Sequence, residues 1–158
     1  MPTIHLETQI YAPVETCFDL ARDLELHCRT TAHTRERIVG PVANRLIEAG
    51  DVVTFEAVHL GVRQRLTAKI VEMERPSRFA DEMVSGAFRS LRHLHEFRSQ
   101  GAGTLMTDTL EFTSPLGILG RLADRLFLEC YMRRFLTVRN QNLKSVAERE
   151  HQQRSQHE

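Results

Sequence analysis

Residues 103–122 read GTLMTDTLEFTSPLGILGRL, and the fold turns on what changes in their middle. Up to Thr113, Met106, Asp108, Leu110 and Phe112 share one side, a period of two that marks a strand with one buried face. Ser114-Pro115 then supplies a helix start, a capping hydroxyl followed by proline at the first helical position, where no backbone donor is needed. Beyond it Leu119, Leu122, Ala123, Leu126, Phe127, Cys130 and Tyr131 recur at helical spacing, and Leu128, Met132, Phe135 and Leu136 widen the stripe. The spacing predicts one long helix from Ser114 to about Val146. Its first turn should be irregular, because Gly117 and Gly120 each cost about 1 kcal/mol inside a helix. So broad a stripe implies core and cavity wall, with a dimer surface or a membrane-touching gate near Pro115 to Leu119 for the remainder.

Working back from Thr113, nearly everything to Gly50 alternates. Leu91, His93, His95 and Phe97 share a face, as do Phe79, Asp81 and Met83 before them. Val62 to Glu74 carries Gln64, Leu66, Ala68 and Ile70 on one side, and the turn Leu60-Gly61 joins it to Val53, Phe55, Ala57 and His59. Arg35 to Val42 reads as a further strand closed by Gly40-Pro41, and Asp23 to Thr31 as a short helix. Pro13 to Arg22 is an amphipathic helix through Val14, Cys17, Phe18 and Ala21, and Ile4, Leu6, Thr8 and Ile10 mark the first strand. A multi-strand antiparallel sheet and a long helix each have one apolar face to bury, so the helix should lie across the sheet. A sheet curved around it encloses a cavity. The expected class is α+β: six or seven antiparallel strands, two short helices after the first strand, and a long C-terminal helix. Residues 1–147 should form one domain and 148–158, wholly polar, a disordered tail.

Composition removes several function classes. Among 158 residues, 21 basic and 21 acidic side chains balance, which leaves no electrostatic footprint for nucleic acid. Cys17, Cys28 and Cys130 fit neither a disulfide framework nor a zinc motif, so a reducing cytoplasm is the expected location. No export signal is visible at the start, and no apolar run approaches the roughly 20 residues of a membrane span, so stable membrane insertion is not expected. Phosphate-binding glycine loops and a serine nucleophile elbow are also missing from the sequence. Arg133-Arg134, with Arg121, Arg125 and Arg139, reads as a solvated helix face.

The sharpest local feature is His93-x-His95, two imidazoles on one side of a strand. If Phe79/Met83 and Met106/Leu110 point inward, Asp81 and Asp108 share that side, and His59 can join them from the Phe55/Ala57 face. Buried acids must be paired, and histidine is the obvious partner. Three readings stay open: a structural His-Asp network, a proton-transfer pair acting on a ligand, or a metal site, for which spacing marks no third ligand.

The element order, with Ala12-Pro13-Val14-Glu15 through Phe18, Gly50-Asp51 through His59-Leu60-Gly61, and Arg75-Pro76 with Phe79, Asp81 and Met83, resembles the START/polyketide-cyclase-like (SRPBCC) superfamily. Phe88 to Phe97, Pro115-Leu116-Gly117 through Gly120, Ala123-Asp124 and Tyr131-Met132-Arg133 carry the likeness further, and it is similar to a bacterial group of that superfamily. The resemblance implies the helix-grip fold and an apolar-ligand cavity; members include carriers, cyclases and hydrolases. It departs at Phe55 and Leu91, where larger aromatics would be expected. The expected function is binding of a small, mostly apolar ligand, such as a lipid or polyketide-like metabolite. Its wall would comprise Phe55, His59, Leu66, Met83, Leu91, His93, His95, Met106, Asp108, Leu110, Leu126 and Tyr131. The alternative is a cyclase, dehydratase or hydrolase using His93 or His95 as base, oriented by Asp81 or Asp108. No cofactor or metal is expected, and a homodimer is compatible with the chain.

Overall fold

The computed structural model describes residues 2–157. The chain runs β1 (Thr3–Ile10), α1 (Val14–Ala21), α2 (Leu24–Thr30), β2 (Arg37–Val39), β3 (Val52–His59), β4 (Val62–Glu74), β5 (Arg78–Ser85), β6 (Ser90–Gln100) and β7 (Gly103–Thr113). A helical segment closes it: α3 (Gly117–Ala123), a π-helical turn (Asp124–Leu128) and α4 (Glu129–Ser155). The seven strands form one antiparallel sheet in the order β1-β7-β6-β5-β4-β3-β2. The first strand thus pairs with the last, and the short helices leave β1 to cross toward the opposite edge. This curved sheet with a long C-terminal helix is the helix-grip architecture.

Local chemistry explains the joints. Leu60 and Gly61 both take positive φ (53° and 75°), the pair of conformations that a two-residue hairpin between His59 and Val62 requires. Asp23 caps α2 by accepting from the Glu25 and Leu26 amides at 3.0 and 3.2 Å. Arg35, at φ 55°, ends the 3₁₀ turn Ala32–Thr34, so β2 shrinks to three residues where the sequence suggests about eight.

Buried apolar residues fall into two clusters. One gathers Phe18 of α1 with Phe79, Phe97 and Met106 of the sheet and Leu143 and Ala147 of α4. Phe18 meets Phe79 and Phe97 edge-on at 5.6 and 5.5 Å. The other joins Ile4, Leu91, Leu110 and Phe112 to Leu136.

The closing segment differs from expectation in three ways. Gly117 is at φ 57°, so the helix begins there rather than at Pro115, after a bend in which the Leu116 amide donates to Ser114 Oγ at 3.3 Å. Its apolar first part does not pack on the sheet: Leu116, Ile118, Leu119, Leu122, Leu126 and Phe127 face solvent, and α3 packs chiefly against the π turn. The buried stripe lies further on, at Leu136, Arg139, Asn140, Leu143 and Ala147, where α4 rests on β1, α1 and α2. Finally, the polar stretch after Ala147, expected as a disordered tail, continues α4 to Ser155. Glu148 explains the continuation: it lies 3.6 Å from Lys144 one turn back and accepts the Tyr11 amide at 3.0 Å, tying the helix to the end of β1.

Candidate functional site

β5, β6 and β7 are adjacent, and their register sets Asp81 opposite His93 and His95 opposite both Phe79 and Asp108. The four polar side chains therefore meet on the inner face, as the alternation predicts. Asp108 is the hub. His93 Nε2 donates to its Oδ1 at 2.9 Å, and Asn140 Nδ2 donates to its Oδ2 at 2.6 Å. His95 Nδ1 is also 2.9 Å from Oδ1, though without the alignment a ring N–H needs, and Arg139 Nη1 is 3.6 Å away. His95 Nε2 faces Asp81 Oδ1 at 3.5 Å. The two imidazole ring centres lie 3.8 Å apart at a tilt of 37°, and Phe79 stacks on His95 at 4.3 Å.

Charge is divided unevenly within the cluster. Burial works to raise the Asp108 carboxyl, but the His93 hydrogen bond and the close His95 ring hold it well below its usual range. Asp81 is likewise lowered, burial being outweighed by His95. Burial opposes charge on His95, yet Asp108 and Asp81 together raise it above an ordinary imidazole. His93, desolvated and beside His95, is pushed down to about 4. The environment thus favours charge on Asp81, Asp108 and His95, beside the Arg139 guanidinium, and disfavours it on His93. Opposite charges therefore face one another inside the cluster, as buried ionic groups require.

Two adjoining voids lie between the sheet and α4. The first, about 120 Å³, is lined by Phe55, Leu66, Leu91, Leu110, Met132, Phe135 and Leu136, with Asp81, His93, His95 and Arg139 on its wall. The second, about 130 Å³, is lined by Phe55, Ala57, His59, Leu66, Phe88, Leu91 and Tyr131. Each far exceeds the roughly 10–15 Å³ that one water needs. Phe55 and Leu91, the positions where larger aromatics were expected, border both voids.

Of the expected wall, Phe55, His59, Leu66, Leu91, His93, His95, Leu110 and Tyr131 line a void. Met106 and Asp108 are fully buried behind the wall, and Met83 packs on the second cluster without bordering either void. Leu126 is corrected outright: on the π turn it is 72% exposed, because this part of the helix has left the sheet. His59 does not join the Asp cluster either; its Nδ1 is 2.9 Å from the Tyr131 hydroxyl.

Three residues of the site escaped the sequence. Arg139, expected on a solvated helix face, is instead buried beside Asp108, and Asn140 lay unnoticed, although it stands at i+4 from Leu136 and three residues before Leu143, a spacing that points it inward. Glu36 gave no signal between two arginines. Its side chain is only 8% exposed, its Oε1 is 2.8 Å from His27 Nε2, and it borders both voids. Burial would raise its carboxyl, but His27 holds it low.

Asp81, His93 and His95 could also hold a metal, since one ligand atom from each lies within 4.8 Å of the others. Asp108 would then orient the imidazoles from behind. A metal would need both imidazoles neutral, whereas Asp108 and Asp81 favour the protonated form of His95, so the donor set suits a proton better than a metal.

The sequence matches the family model described as polyketide cyclase / dehydrase and lipid transport over residues 1–148, and the chain belongs to this family. A protein from Thermus thermophilus shares the fold at TM-score 0.72 and 21% identity, over 92% of this chain and 99% of that one. A START superfamily protein from Mycobacterium smegmatis gives TM-score 0.71 at 13% identity, over 93% and 97%. Ginseng major latex-like protein 151 from Panax ginseng gives 0.68 at 14%, over 92% and 97%. No curated protein sequence matches the chain. Among the described residues, no helix is long and apolar enough to cross a membrane.

Proposed function

We propose that the protein binds a small, mostly apolar ligand in the space between the sheet and α4. The observation that carries this is the pair of adjoining voids walled by Phe55, Leu66, Leu91, Met132 and Phe135. Ligand pockets are concave, largely apolar and furnished with a few polar groups that fix orientation. Here those groups are His59 and Tyr131 at one void and Asp81, His93 and His95 at the other. Cytoplasmic residence fits three free cysteines.

Binding is favoured over turnover by the electrostatics. A general base works best with a pKa near the operating pH. His93 at about 4 is too weak, and His95, lifted by two carboxylates, is biased toward its protonated form. His95 remains competent as a proton donor to a ligand oxygen, which is the form in which a cyclase or dehydratase activity would arise. Native mass spectrometry of protein purified from its own host tests the binding reading. A co-purifying apolar adduct is expected. A bare protein whose melt is also unmoved by a panel of apolar metabolites would sink it.

A further inference from the structure

Glu36 is the one ionisable group, among the described residues, that borders both voids. It enters from an unusual place. Arg35 in the left-handed region reverses the chain after the 3₁₀ turn, and Glu36 follows just ahead of β2. One carboxylate oxygen is committed to His27, whose ring in turn packs on Phe55 at 4.8 Å. The other, Oε2, is buried and accepts no hydrogen bond from the protein. The nearby Thr31 hydroxyl helps to lower the Glu36 carboxyl, but in this structure it donates to the His27 carbonyl at 2.8 Å and leaves Oε2 unpaired. A buried anionic oxygen without a donor is disfavoured in a folded chain unless something else supplies one.

We propose that Glu36 Oε2 is a ligand-anchoring acceptor, and that the cavity takes an apolar molecule bearing a hydroxyl group, donated to Glu36 where the two voids meet. This rests on the apolar-cavity reading above and sharpens it. A neutral hydroxyl suits the position better than an ammonium, because the Arg139 guanidinium already places positive charge on the first void's wall. The shared border also locates the hydroxyl along the body of the ligand, with apolar parts extending into each void. An otherwise similar molecule with no donor would bury Oε2 unsatisfied, and sites built around a substrate hydroxyl discriminate strongly against analogues lacking it.

The test compares 2-naphthol with 2-methoxynaphthalene by isothermal titration calorimetry against the wild type, Glu36→Leu and Glu36→Gln. The wild type should prefer 2-naphthol by roughly ten- to hundredfold, the range of a hydrogen bond to a charged acceptor. In Glu36→Leu the two probes should bind within about twofold of each other, with the ether bound at least as well as by the wild type. Should Glu36→Leu fail to fold, Glu36→Gln preserves the shape and should show a reduced preference, its oxygen being uncharged. Wild-type protein that binds both probes equally overturns the anchoring role while leaving the apolar cavity intact. Protein that binds neither overturns the cavity reading, and the anchor with it.

Discussion

Between Leu116 and Phe127 the closing helical segment carries six large apolar side chains that face solvent, whereas between Leu136 and Ala147 it buries an arginine and an asparagine among its apolar residues. Composition alone would assign the two stretches the other way round. The distal stretch is inside because the sheet presents something there that only a polar partner can satisfy: Asp108, fully buried, needs Asn140 Nδ2 and the nearby Arg139 charge. The proximal stretch has no such appointment with a strand. Helix placement here follows the pairing of a buried charge together with Leu136 and Leu143, not the densest run of leucines.

The contrast breaks most forcefully at Asp108. Asp108→Asn should cost about 3–5 kcal/mol, since removing one member of a buried ionic network leaves His95 and Arg139 uncompensated. Urea midpoints measure it, and a loss under about 1 kcal/mol would mean that the distal stretch is held by packing alone. Leu143→Ala, deleting a side chain that is 2% exposed in the core cluster that holds Phe18 and Phe97, should cost about 2–5 kcal/mol by the same measurement.

Acid should loosen the distal region in a defined window. His93 titrates at about 4 in the folded protein against 6.5 in the unfolded chain, so between these values the unfolded state takes up a proton that the fold refuses. Stability therefore falls as pH drops from 6.5 toward 4, by about 3 kcal/mol in all. His95 has the opposite sign: its pKa is raised, so its contribution is complete below 6.5 and is lost only as pH rises. The lowered carboxylates Asp81 and Asp108 contribute above their ordinary 3.8 and fade only below it. Within the window the slope belongs chiefly to His93, and urea midpoints of His93→Gln should show a flatter acid limb than wild type. An unchanged limb would assign the slope to other histidines such as His59, which burial also lowers.

How much of this could be read beforehand depends on the range of the interaction concerned. Period-two alternation is local, so the strands, the inward face of His93 and His95 and the cross-strand approach of Asp81 and Asp108 were all legible. A helical stripe is local too, but it says only that a face exists. Which turns of a long helix lie over the sheet is set by contacts between β7 and α4, 32 residues apart at Asp108–Asn140. Leu126 was misplaced for that reason. Glu36 was missed for a related one: its inward turn follows from Arg35 adopting φ 55°, a backbone choice that an Arg-Glu-Arg triplet does not announce.

The smallest expected effect is the most direct check on the comparison. Leu126→Ala makes the same chemical deletion as Leu143→Ala, on the same closing segment, in a stretch of greater hydrophobicity. A side chain 72% exposed has little buried area to lose and leaves no cavity behind, so its urea midpoint should stay within about 0.5 kcal/mol of wild type. A loss approaching that of Leu143→Ala would show that Leu126 is covered in solution, either by the sheet or by a second copy of the chain. Repeating the melt over a range of protein concentration separates these, because only association makes the loss depend on concentration.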